Sequence, residues 1–183
     1  MLIQLKITRA LHDTLIHDLE RPHSFAYERV GFLLIKRGTM DADILLLLGG
    51  EYLAVKDENY IDDPDVGAKI NSAAIRSVME RAMAGGYGII HVHLHDKLIG
   101  SAFSKTDRHE FKKLVPSFHN IGGGAVHGAA VFSGNCFTAF VQLRKDADPI
   151  EVSRVSVVGY PISEYVPERS RLWKMKDTAD KVF

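Results

Sequence analysis

The sequence predicts an α/β (α+β) fold, a mixed β-sheet sandwiched by helices, and three features carry that reading. The 183 residues, 46% hydrophobic and 25% charged, suit one domain, which buries roughly 70% of the surface its unfolded chain exposes. Short runs with the two-residue period of strands are interspersed with stretches of helical period. No repeat, low-complexity tract or Ser/Pro-rich linker divides the chain, so one domain over 1–160 is expected, with a charged, partly helical tail over 161–183 that carries Trp173.

The elements follow in order. Leu2 to Ile7 alternates as a first strand, and Thr8 can cap a helix over 9–20 whose stripe is Ala10, Leu11, Leu15 and Leu19. Pro22 blocks its continuation. Val30 to Ile35 has strand length. Ile44–Leu48 and Tyr52–Val55 read as two further strands, with Gly49-Gly50 as the turn between them. Residues 57–65 form an acidic loop with five carboxylates and no basic residue. Asn71 or Ser72 caps a second helix with Ile75, Val78, Met79 and Ala82 as its stripe, and Gly85-Gly86 ends it. Gly88 to Leu94 is a buried strand, Ser104 caps a third helix that stops at Pro116, and glycines 122–124 make a loop. Strands at 127–133, 136–143 and 151–158 complete the sheet.

Composition narrows the function classes. Twenty-three Lys and Arg balance twenty-three Asp and Glu, whereas a broad nucleic-acid-binding face tips a domain basic. No nucleic-acid partner is expected. The longest apolar run, Ile44 to Gly50, has seven residues, far short of the ~20 a membrane helix needs. No signal peptide is visible, because Lys6 and Arg9 interrupt the apolar start. A single cysteine, Cys136, excludes an internal disulfide and suits a reducing cytoplasm.

The chemistry concentrates in 91–107, HVHLHDKLIGSAFSKTD. Side chains two apart on a strand share a face, so His91, His93 and His95 can line one side. Two of them can converge on one ion, and Asp107, in the first turn of the next helix, can supply a third ligand. Two histidines and one carboxylate leave a position open for water, as in catalytic rather than structural zinc sites. Ser104 to Asp107 is also what a helix start looks like, with Ser as cap and an acid three residues on. A metal hydrolase needs a base as well. Glu28, Glu51, Glu58 and the acidic loop all offer one, and spacing does not choose among them.

At this point the chain resembles the JAMM (JAB/MPN) zinc metalloproteases, the deubiquitinase family. The matching pieces are Glu28 in YERVGFLL, then His93-Leu94-His95, then Ser104-Lys105-Thr106-Asp107. The order of elements also matches, from about residue 1 to 158. HLHDKLIGSAFSKTD with LVPSFHN and HGAAVFS resembles the prokaryotic JAB branch. The resemblance implies an MPN fold of cytidine-deaminase-like architecture and one Zn2+ per chain held by His93, His95 and Asp107. It implies Glu28 as general base and Ser104 as donor to the oxyanion, a hydroxyl that either caps or donates at one time. The implied substrate is the C-terminal tail of a ubiquitin-like protein, joined to lysine or to a short extension. Activating- or conjugating-enzyme-like partners follow, in a bacterial conjugation or antiviral defence setting.

The chain departs from the family pattern in two places. Asp96 follows the second histidine where many members have Pro, and the loop before Ser104 is one residue longer. A surface loop tolerates that cheaply. The extra His91 permits a shifted pair with His93, but that shift puts Ser101 and Ser104 where Ser and Asp belong, so His91 is expected to pack behind the site or to hydrogen-bond a ligand. The rival readings are an inactive MPN scaffold, a two-His-one-carboxylate iron oxygenase, and a peptidase trimming a small sulfur carrier in cysteine or cofactor biosynthesis.

Overall fold

A computed structural model describes residues 1–165, apart from Phe25, Ala42 and residues 96–99. The described chain runs β1 (Leu2–Thr8), α1 (Arg9–Leu19), β2 (Val30–Asp41), β3 (Ile44–Ala54), α2 (Ser72–Gly85), β4 (Gly88–Leu94), α3 (Lys105–Phe118), β5 (His127–Ser133), β6 (Cys136–Gln142), β7 (Ile150–Glu151), β8 (Arg154–Val158) and β9 (Ser163–Tyr165). The strands make one mixed sheet in the order β7-β6-β5-β4-β2-β3-β1-β8-β9. No helix among the described residues is long and apolar enough to cross a membrane.

Strand alternation sorts the side chains into two layers. Leu33, Ile35, Ile90 and Val92 pack with Leu15 and Leu19 of α1 on one face. Phe32, Leu34 and Ile89 pack with Val78 and Ala82 of α2 on the other, where Phe111 and Val115 of α3 cover Ala129 and Val131 of β5. Each Val, Leu, Ile or Phe among them, fully buried, contributes roughly 1.5–3 kcal/mol. The sheet is curled. Strands β7 and β8 lie near opposite ends of the strand order, yet only two residues separate them. Val152 donates its N–H to Ala139 of β6 (2.9 Å) and Ser153 to Ile3 of β1 (2.8 Å), so the two ends of the sheet meet there.

Capping signals place the helices as expected. The Thr8 hydroxyl accepts from Leu11 N–H, the Asn71 side chain accepts from Ala74 N–H, and Gly86 closes α2 in the left-handed conformation at φ 60°. Elsewhere the sequence reading needs correction. Gly49-Gly50 is not a turn: β3 runs unbroken through it, with a bulge opposite Leu34 and Ile35. A Cβ at Gly49 would stand 2.5 Å from Ile7 and 3.2 Å from Leu11, so the glycine serves the close approach of β1 and α1. Helix α3 does not stop at Pro116 but continues to Phe118, whose fully buried ring outweighs one lost backbone hydrogen bond. On α1 the buried set is His12, Leu15 and Leu19, while Ala10 is exposed. The strand expected over 151–158 is divided into β7 and β8. Beyond Tyr165 the expected tail and Trp173 lie outside the described residues.

At the start of β5, His127 is fully buried and its Nδ1 accepts from Ile89 N–H at 3.2 Å. Burial, aided by the neighbouring His119, pushes its pKa down to about 3. The folded protein therefore resists a proton that the unfolded chain accepts near pH 6.5. Stability is full above that value and falls as the pH drops toward 3. Urea midpoints measured from pH 7 to pH 4 should decline less steeply in His127→Gln, whose amide oxygen can still accept from Ile89; an unchanged slope would count against this.

Candidate metal centre

The site is built where β2 and β4 meet. The two strands pair antiparallel with Val30 opposite His93, Phe32 opposite His91 and Ile35 opposite Gly88. Two residues beyond the end of that ladder, Glu28, just before β2, and His95, just after β4, bring their side chains within 4.0 Å of each other. Alternation puts His91 and His93 on the face that α2 and α3 cover. Residue 95 keeps to its neighbour strand, since His95 N–H donates to Phe132 of β5 at 2.8 Å.

Four side chains converge there. The Nε2 atoms of His93 and His95 are 3.1 Å apart. The Asp107 carboxylate straddles them, with Oδ1 3.3 Å from His93 Nε2 and Oδ2 3.5 Å from His95 Nε2. Glu28 Oε1 stands 4.0 Å from His95 Nε2. Glu28, His93 and His95 bring ligand-type atoms within 4.8 Å of one another and could hold a metal ion. The backbone of the loop fixes part of this. His95 Nδ1 lies 3.3 Å from the carbonyl of Gly100; donation there leaves Nε2 with its lone pair toward the cluster. His93 Nδ1 is buried with no hydrogen-bond partner among the described residues.

Asp107 is held by its own helix. It forms a capping box with Ser104: the Ser104 hydroxyl accepts from Asp107 N–H (3.1 Å), and Asp107 Oδ2 accepts from Ser104 N–H (2.6 Å). The cap uses a lone pair of the hydroxyl oxygen, and the hydroxyl also hydrogen-bonds the Asp107 carboxylate. Burial raises the Asp107 pKa, but hydrogen bonds with His93, His95 and Ser104 outweigh it and hold the carboxyl well below the usual range. The Asp107 carboxylate in turn holds His95 above its usual value, against burial.

These groups line a cleft of about 660 Å³ between α3 and residues 63–70, with apolar walls that include Ile70, Ile75 and Phe111. His91 lines it too, its ring 5.9 Å from His93 and 5.5 Å from Phe32. Burial drives its pKa to about 3, which keeps the ring neutral. The rival bases are engaged elsewhere: Glu51 pairs with Arg81 at 2.6 Å and Glu58 with Lys56 at 3.8 Å. The acidic loop carries no cation of its own, but the fold brings two to it, Arg29 on Asp57 (2.9 Å) and Lys69 on Asp63 (2.7 Å). Asp63 and Asp65 reach the cleft. Sequence reading missed Gly100 and Gly67, whose carbonyls bind His95 and the Glu28 backbone. Backbone acceptors leave no side-chain signature. No protein-family model matches the chain, and no curated protein matches it.

A divalent transition metal added to the chelated protein should raise its melting temperature in proportion to the logarithm of metal concentration above Kd. His93→Ala/His95→Ala should abolish that rise; an equal rise in the double variant would place binding elsewhere.

Proposed function

We propose that the protein is a zinc-dependent isopeptidase or peptidase that cleaves after the C-terminal tail of a ubiquitin-like protein. The observation that carries this reading is the assembly of Glu28, His93, His95, Ser104 and Asp107 at one cleft, in the pattern that the JAMM resemblance implies. The donor set suits zinc. Ligand atoms around a tetrahedral zinc with bonds of roughly 2.0–2.1 Å stand about 3.3 Å apart; here the two imidazole Nε2 atoms are 3.1 Å apart, and the Asp107 carboxylate sets one oxygen 3.3 Å from the first and its other oxygen 3.5 Å from the second. His93, His95 and Asp107 would hold the ion; its Lewis acidity would polarise a carbonyl and bring the pKa of water toward ~7.

The two carboxylates divide the remaining work by distance and exposure. Asp107 is nearer the imidazoles and only 13% exposed, whereas Glu28 is 4.0 Å away and 31% exposed. A base must reach water and leaving group, so Glu28 accepts the proton from the attacking water and returns it to the departing amine. The Ser104 hydroxyl caps α3 through its oxygen, and its proton, turned from the Asp107 carboxylate, donates to the developing oxyanion. The cleft lies along α3, and its apolar walls suit an extended peptide tail, with Asp65 at hand for a cationic residue while Asp63 is already paired with Lys69. Within this reading the MPN fold is the architecture, and the conjugate or precursor of a ubiquitin-like protein is the partner.

The test is Glu28→Gln, assayed on fusions that join the tail of a ubiquitin-like protein to a short peptide. The variant should keep its zinc and lose roughly 10²–10⁴-fold in kcat. Glu51→Gln and Glu58→Gln should stay near wild type. Loss of zinc from Glu28→Gln would make Glu28 a ligand, and normal turnover would remove it from the mechanism.

A further inference from the structure

We propose that Gly67 is a positioning residue that sets where the Glu28 carboxylate sits, through the side chain it lacks. The inference rests on the reading of Glu28 as the base. The Gly67 carbonyl accepts from both Tyr27 N–H (2.9 Å) and Glu28 N–H (3.0 Å), so the two backbones are tied together. The Glu28 carboxylate folds back over the Gly67 Cα. A Cβ at that position would stand 2.9 Å from Oε2 and 3.0 Å from Cδ of Glu28. The Gly67 φ lies outside the left-handed region, so the backbone does not require glycine there. What requires it is space for the carboxylate.

The backbone beside Glu28 is anchored through the side chain of the next residue. Arg29, only 3% exposed, donates from Nε to Arg21 O (3.0 Å), from Nη2 to Pro22 O (3.3 Å) and from Nη1 to Asp57 (2.9 Å). Its guanidinium also lies 5.9 Å from the Tyr60 ring centroid. The carboxylate, at the free end of a flexible side chain, is what moves. Restoring ordinary contact shifts it by about half an ångström. Misplacement on this scale costs about ten- to hundredfold in rate when the group acts on reacting atoms.

Gly67→Ala should therefore keep its zinc and its melting temperature, hold KM within about twofold, and lose about ten- to hundredfold in kcat. Glu28→Asp supplies the second arm, because a shorter carboxylate no longer meets the new methyl. In that background Gly67→Ala should cost less than about twofold, a non-additivity expected of touching residues and not of a loosened loop. Crystal structures of both proteins give a readout without turnover: the separation of Glu28 Oε1 from His95 Nε2, 4.0 Å here, should change in Gly67→Ala. Wild-type kcat in Gly67→Ala, an equal loss in the Glu28→Asp background, or an unmoved carboxylate overturns the proposal. If the wild-type protein hydrolyses no tail fusion, the hydrolase reading fails, and the position of the carboxylate still decides the role of Gly67.

Discussion

The antiparallel pairing of β2 with β4 is the constraint on which the rest of the structure depends. It sets Val30 opposite His93, and from that one register follow the facing positions of Glu28 and His95. The register is held by packing, since Ile89 and Leu34 meet α2 while Ile90, Val92, Leu33 and Ile35 meet α1. A one-residue slip would turn β4 over and drive His91 and His93 into the apolar layer beneath α1. The burial of unreactive aliphatic side chains is thus what aims the imidazoles.

The other half of the cluster comes from a helix start. Asp107 reaches the imidazoles from the first turn of α3, where exposed N–H groups give the helix a partial positive charge. That charge opposes a cation or an imidazolium nearby. The carboxylate at the third helical position offsets it and supplies the negative partner for both histidines. Ser104 is exposed while Asp107 is largely covered, so the motif runs from solvent into the cleft within one turn of helix.

Much of this was legible in the sequence because its causes are local. Thr8, Asn71 and Ser104 announce helix starts with their own side chains, and each caps as its position implies. The spacing of His93, His95 and Asp107 allows them to meet, the family resemblance picks out these three, and their side chains do come together. What was hidden depends on contacts between distant segments. Gly49-Gly50 has the composition of a turn, and only the presence of Ile7 and Leu11 above it makes it a bulge in a continuous strand. Pro116 signals a helix end, and the burial of Phe118 overrides it. His12 occupies a buried position because Tyr165, 153 residues away, reaches its Nε2 at 2.9 Å. Spacing alone did not separate Glu28 from Glu51 and Glu58; the family resemblance singled it out, and its nearness to His95 rests on segments far apart in the chain.

The double placement of Asp107 would couple two equilibria. Its Oδ2 closes the first turn of α3 while its Oδ1 faces His93, so fraying of that turn and the binding of an ion by the proposed ligands would draw on the same carboxylate. Thermodynamic reciprocity then applies. Whatever factor an ion contributes to keeping the turn wound, winding the turn contributes to the ion's affinity. With an ion held as proposed, the helix start would become a dial on its retention, one that a substitution at Lys105 or Thr106, outside the proposed ligand set, would turn.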